Sequence, residues 1–144
     1  VNYDKIDGYL VDIFNNVVII EEASLKNSKF NDVSLKEMHT IDVIGTHPDT
    51  TPSAVAKELM LTLGTVTTSL NKLEKKGYII RTRSSVDRRV VHLSLSKKGR
   101  LVYRLHRAFH KSMVKTITEG FNDEELKVMS KGLENLHAFL EELK

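Results

Sequence analysis

The sequence predicts a mainly α-helical chain with one small β-hairpin: six helices, the hairpin lying between the fourth and the fifth. Three observations predict it. Apolar residues recur at three- and four-residue steps through most of the chain. Between residues 78 and 95 the period drops to two and β-rich segments take over. Short polar stretches with helix-capping residues separate the periodic segments.

The elements follow in order. Tyr3, Ile6, Leu10, Ile13, Val17 and Ile20 step by three and four, which predicts a first helix over 3–20 with a heptad-like stripe. "LKNSKFND" interrupts it with polar turn-formers. Ser34 then opens a second helix in a capping box with Glu37, with Leu35, Met38, Ile41 and Ile44 as its core face. Gly45 and Pro48 in "GTHPDT" are read as its stop. Thr51-Pro52 starts a third helix, with Thr as N-cap and Pro where a missing N–H costs little. Thr62 caps a fourth, whose inward positions are Val66, Leu70 and Leu73 and which Gly77 ends. Residues 78–83 and 90–95 form the hairpin around "SSVDRR". Ser96 caps a long fifth helix with a stripe at Leu101, Leu105, Phe109, Met113 and Ile117. Gly120 breaks it. Asn122, followed by Asp123, Glu124 and Glu125, opens a sixth helix suited to the positive end of the helix dipole. Its stripe is Leu126, Met129, Leu133, Leu136, Leu140 and Leu143.

Composition bounds the function. At 144 residues the chain is about one domain, and 40% hydrophobic content suffices for a core. No apolar run approaches a bilayer span, and no secretory signal is expected at the N-terminus, so the expectation is a cytoplasmic protein without a membrane partner. The absence of Cys removes disulfides, thiolate nucleophiles and Cys-rich zinc sites together. No strand-Ser-helix elbow or Gly-rich phosphate loop occurs, so no enzyme is expected. Charge is lopsided. Residues 57–111 carry fourteen Lys and Arg against three acids, whereas the rest of the chain has a net charge of −8. A basic centre between acidic ends suits a polyanion.

Two short helices joined by a tight turn and followed by a hairpin make a winged helix-turn-helix, whose second helix is sized for the DNA major groove. With Val66, Leu70 and Leu73 inward, the opposite face of helix four holds Gly64, Thr68, Asn71 and Lys75, flanked by Thr65, Thr67 and Lys72. That face is small or hydrogen-bonding. Thr68 and Asn71 suit base edges, Lys75 suits phosphate, and Leu63 with the Thr methyls suits thymine methyl groups. Thr51, Ser53 and Thr62 complete the candidate contacts of the helical pair. Arg81, Arg83, Arg88 and Arg89 lie on or beside a turn able to reach the adjoining minor groove, where A·T-rich sequence favours arginine. Asp87 is placed to orient Arg89.

"DRRVVHLSLSKKG" resembles the wing signature of the MarR family of bacterial transcription regulators, with Asp-x-Arg, an alternating Leu-x-Leu and Ser-x-x-Gly. "TPSAVAKELMLTLGTVTTSLNKLEKKGYI" resembles that family's helix-turn-helix, and the order of elements covers essentially the whole chain. The resemblance implies a homodimer through the N- and C-terminal helices, in agreement with the stripes at 3–20 and 126–143. One domain over 1–144 is then expected: dimerisation helices in 1–33 and 120–144, a DNA-binding lobe in 34–98 and a connecting helix in 96–119. Two-fold symmetry predicts an A/T-rich, pseudo-palindromic operator.

Within the family, "YLVDIFNNVVIIEE", "SLKEMHTIDVIG" and "RLHRAFHKSMVK" resemble the branch that represses fatty-acid biosynthesis genes in streptococci and their relatives. What this implies is an effector, long-chain acyl groups on acyl carrier protein, acting as corepressor, with no resident cofactor or metal. Phe14, Val18, Met38, Leu105, Phe109 and Met113 are the candidate lining of an acyl slot, with His39 capping its polar end. Arg104, Arg107 and Lys111 are a candidate docking face for an acidic carrier protein. The alternative is a regulator answering to zinc or another small ligand. His106 and His110 stand one helical turn apart, and His39 with Glu21 or Glu22 could complete a ligand set similar to that of some zinc-responsive members of the family.

Overall fold

The computed structural model describes residues Val1–Lys144. Its elements are α1 (Tyr3–Lys26), α2 (Leu35–Thr46), α3 (Pro52–Leu59), α4 (Leu63–Lys75), β1 (Ile79–Arg83), β2 (Val91–Leu95), α5 (Lys97–Thr118) and α6 (Asp123–Glu142). Six helices and one antiparallel hairpin occur in the expected order. No helix is long and apolar enough to cross a membrane. The chain forms two compact units, Val1–His106 and Arg107–Lys144.

Capping decides most of the boundaries. Ser34 Oγ accepts from the Glu37 amide (3.1 Å), and Glu37 Oε1 accepts from the Ser34 amide (3.0 Å), which closes the capping box at the start of α2. Thr51 accepts from the Ala54 amide (3.2 Å) with Pro52 at the first helical position, and Thr62 accepts from the Thr65 amide (3.2 Å). Gly77, at φ +87°, turns the chain out of α4 into β1 in a conformation that a side chain would strain. In the hairpin Ile79 pairs with Leu95 and Arg83 with Val91.

Two boundaries differ from the sequence reading. Helix α1 continues past Ile20 to Lys26, because Glu21 and Leu25 keep the helical spacing and are both buried. Gly45 lies inside α2 and does not stop it. A Cβ there would stand 2.5 Å from Tyr103 Cδ2 and 2.9 Å from Leu95 Cδ1, so this glycine serves close packing. The hairpin also gains a third partner: the Leu93 amide donates to the Thr50 carbonyl (2.8 Å), tying the turn before α3 to the sheet.

The core of the first unit is continuous. Leu25, Phe30 and Val33 meet Met38, Ile41 and Ile44 of α2, Val55 of α3, Val66, Leu70 and Leu73 of α4, Tyr78, the strand residues Leu93 and Leu95, and Val102 of α5. On α5 the buried face is Gly99, Val102 and His106, whereas Leu101 and Leu105 of the apolar stripe are exposed. In the second unit α6 opens with a capping box between Asn122 and Glu125 (2.9 and 3.1 Å). No residue of α6 is buried, and Val128, Leu133, Phe139 and Leu140 are exposed.

Candidate nucleic-acid interface

Helix α4 inserts Val66, Leu70 and Leu73 into the core. That orientation turns Leu63, Gly64, Thr65, Thr67, Thr68, Asn71, Lys72 and Lys75 to the outside, and all eight are exposed. The expected small, polar face is therefore one surface. Its hydroxyls are not all available to a ligand. Thr68 Oγ1 donates back to the Gly64 carbonyl (3.0 Å), leaving its lone pairs and methyl group outward. Thr62 and Thr65 bond to each other through their hydroxyls (2.8 Å). Ser53 is exposed on the first turn of α3, whereas Thr51 is half-buried in its capping role.

The wing is a built loop. Ser84 Oγ accepts from the amides of Val86 and Asp87 (3.2 Å each), and the Asp87 carbonyl accepts from the Val90 amide (2.9 Å). Asp87 Oδ1 accepts from the Arg89 amide (3.0 Å) and Nε (3.1 Å), and Oδ2 accepts from Nη2 (3.1 Å). This two-pronged contact sets the direction of the guanidinium on a side chain that is 91% exposed. The Arg89 side chain, and then its amide, hold the Asp87 carboxyl below the usual carboxylate range. Arg83 Nη1 donates to the Arg88 carbonyl (2.9 Å). Arg83, Arg88 and Arg89 are thus brought together. Arg81 is not with them: it turns back towards Glu74 of α4 at 3.8 Å.

Two features escaped the sequence reading. Lys76 Nζ reaches the Asp32 carbonyl (2.5 Å) and both Glu37 oxygens (3.1 and 3.2 Å), which fastens the end of α4 to the start of α2. Val86, at the wing tip, is apolar and solvent-exposed. An apolar residue alone in "SSVDRR" was the available signal.

The remaining candidates are distributed as follows. Met38 belongs to the buried core, whereas Phe14, Val18 and Leu105 are exposed. In the second unit Phe109 and Met113 are half-buried, and the Phe109 ring stands edge-on to His110 with centroids 6.0 Å apart. Arg104 is exposed in the first unit, and Arg107 and Lys111 are exposed in the second. Glu21 is buried and faces two imidazoles: Oε1 lies 3.6 Å from His106 Nδ1 and Oε2 3.7 Å from His39 Nε2. Asp42 Oδ1 is 3.9 Å from His106 Nε2, and the two histidine rings are 6.1 Å apart. His110 follows His106 by one turn of α5. Glu22 is not part of this group. It lines a separate hollow with Lys26, Asp32, Glu37 and Lys76.

Comparison with known proteins agrees with this geometry. The MarR family profile matches residues 33–91. FabT of Streptococcus pneumoniae, solved in complex with DNA, is 65% identical over 99% of this chain and 100% of its own, with a TM-score of 0.90. The HTH-type transcriptional regulator PchR of Bacillus subtilis is 30% identical over 111 residues, 75% of this chain and 66% of that protein. The MepR–DNA complex of S. aureus shares the fold, with 22% identity, a TM-score of 0.71, and 92% of this chain and 94% of that chain covered.

Proposed function

This chain belongs to the MarR family, and from that premise we propose that it represses fatty-acid biosynthesis genes as a homodimer. Its operator is A/T-rich and pseudo-palindromic, and its corepressor is a long-chain acyl group on acyl carrier protein. The chain is a DNA-binding transcriptional regulator and not an enzyme. The fatty-acid assignment is supported by the 65% identity to FabT along the whole chain. The single observation that carries DNA recognition is the pairing of a small, polar α4 face with a wing on which Asp87 aims Arg89. Side chains on α4 read base edges in the major groove, and the wing arginines occupy the minor groove at A·T-rich flanks. Such a regulator works beside the chromosome, in the cytoplasm.

A corepressor acts by binding the DNA-competent arrangement more tightly than the other and so raising its population. Arg104, Arg107 and Lys111 offer cations to an acidic carrier on a helix that follows directly from the wing. The test is a mobility-shift titration on a fatty-acid gene operator, with and without acylated carrier protein. Long-chain acyl carrier protein should tighten binding, the unacylated carrier should not, and Arg104→Glu with Lys111→Glu should abolish the response. Release of DNA by the acylated carrier, or no effect, refutes the corepressor assignment.

A second reading is favoured by one observation: Glu21, with its side chain 5% exposed, presents an oxygen to each of two imidazoles. Ligands of a tetrahedral zinc stand roughly 3.3 Å from one another, close to the 3.6 and 3.7 Å separations here. Glu21 and His106 would hold the ion, and its binding would stiffen the junction of α1 and α5. Calorimetric titration with zinc checks this. Micromolar or tighter binding that His106→Ala removes supports it, and heat indistinguishable from dilution excludes it.

A further inference from the structure

Val86 stands 96% exposed at the tip of the loop joining β1 and β2. Single exposed apolar residues are ordinary on protein surfaces. This one sits on a loop that is otherwise organised and cationic. Ser84 Oγ holds the amides of Val86 and Asp87, the Val90 amide closes on the Asp87 carbonyl, and Arg83 braces the Arg88 carbonyl. The backbone on both sides of Val86 is fixed, so placing the side chain in a groove forfeits little conformational freedom. Arg83, Arg88 and Arg89 lie on or beside the same loop and give it positive charge.

Resting on the DNA-binding reading above and deepening it, we propose that Val86 is a specificity-determining contact that lies on the minor-groove floor and rejects G·C pairs there. In that groove an A·T pair shows only acceptors, whereas G·C adds the guanine 2-amino donor. The methyl groups of valine offer that donor no acceptor. A guanine under Val86 loses water from its amino group without replacement, and a buried unpaired donor is costly. The neighbouring arginines respond to groove width and potential. Val86 supplies the exclusion they lack.

The test uses the full chain and an operator duplex that the chain itself selects from randomised DNA. Adenines in the wing-contacted flanks are replaced by 2,6-diaminopurine, which adds the 2-amino group in the minor groove and leaves the major-groove edge unchanged. The wild-type chain should bind this duplex about tenfold more weakly, the loss typical of one unfavourable pair. Replacing flank A·T by inosine·C, which lacks the amino group, should leave binding unchanged. Val86→Asn, whose amide both donates and accepts, should bind adenine and diaminopurine flanks within about twofold of each other. Diaminopurine also alters groove width, and an effect transmitted through the arginines alone would persist in Val86→Asn, which overturns the proposal. Equal wild-type affinity for both flanks overturns it as well. Failure of the wild-type chain to bind the unmodified duplex at low salt would be a different result, since it removes the DNA-binding reading itself.

Discussion

Tyr78 is fully buried, and its hydroxyl donates to Asp32 Oδ1 at 2.5 Å while Lys98 Nζ lies 4.3 Å from the ring centroid. Burial, then the bond to Asp32 and its charge, then the charge of Glu37, push the phenol well above its ordinary range. A folded-state value raised in this way contributes stability that is fully present below the unfolded value of about 10. The contribution is lost as pH rises past that value. Stability should therefore fall more steeply above about pH 10 in the wild-type chain than in Tyr78→Phe, which cannot ionise there. At neutral pH the Phe variant should be about 1 kcal/mol less stable, the worth of one hydrogen bond. Urea titrations at pH 7 and at alkaline pH read both quantities, and parallel pH profiles would refute the assignment. None of this was visible in the chain order, because Asp32 and Tyr78 are brought together only by the fold. Gly45 is the same case: its turn-forming reputation suggested a helix end, and its use is to admit the ring of Tyr103.

Helix α4 depends on its first turn, where Thr62 satisfies an amide that has no partner inside the helix. Thr62→Ala should cost about 1 kcal/mol of stability. It should also weaken operator binding, since fraying begins at Leu63 and Gly64, at the end expected to lie nearest the bases. Thr62→Ser should retain both properties. Urea midpoints and operator titrations of the two variants make the comparison, and an alanine variant that matched the serine one would deny the cap its role. The caps at Ser34, Thr51, Thr62 and Asn122 were legible in the sequence because each bond spans three residues. So was the outward face of α4, since Val66, Leu70 and Leu73 fix the helix rotation. The face of α5 was not. Its apolar stripe pointed to Leu101 and Leu105, whereas Gly99 lets the helix approach the Tyr78 carbonyl and Val102 fills the gap. A stripe reports an apolar surface without naming what covers it. Likewise, four clustered arginines could be read as one group, but only the fold turns Arg81 towards Glu74.

At the scale of the molecule the unresolved quantity is exposed apolar area. On α1, Ile6, Leu10, Ile13 and Ile20 are exposed, and on α6 so are Leu133 and Leu140. Burying a Leu or Ile side chain is worth roughly 1.5–3 kcal/mol, so leaving such rows in water opposes a lone chain. The homodimer proposed above would cover them and would join two α4 faces in one particle. Each half then raises the effective concentration of the other at its half-site, which is worth roughly 10²–10⁴ in affinity. Ile13→Asp and Leu133→Asp, made separately, should sediment as monomers, keep their helical circular dichroism, and lose at least about a hundredfold in operator affinity. A folded monomer that bound as tightly as the wild type would show that one copy suffices. Two-fold symmetry adds a test on the DNA side. Half-sites read from one face are about 10 base pairs apart, so inserting roughly five between them turns the second half-site to the far side of the duplex. Affinity should collapse to that of the monomeric variants with the half-turn insertion and recover in part with a full turn, provided the dimer can stretch. Indifference to the half-turn would mean that each copy reads its site alone.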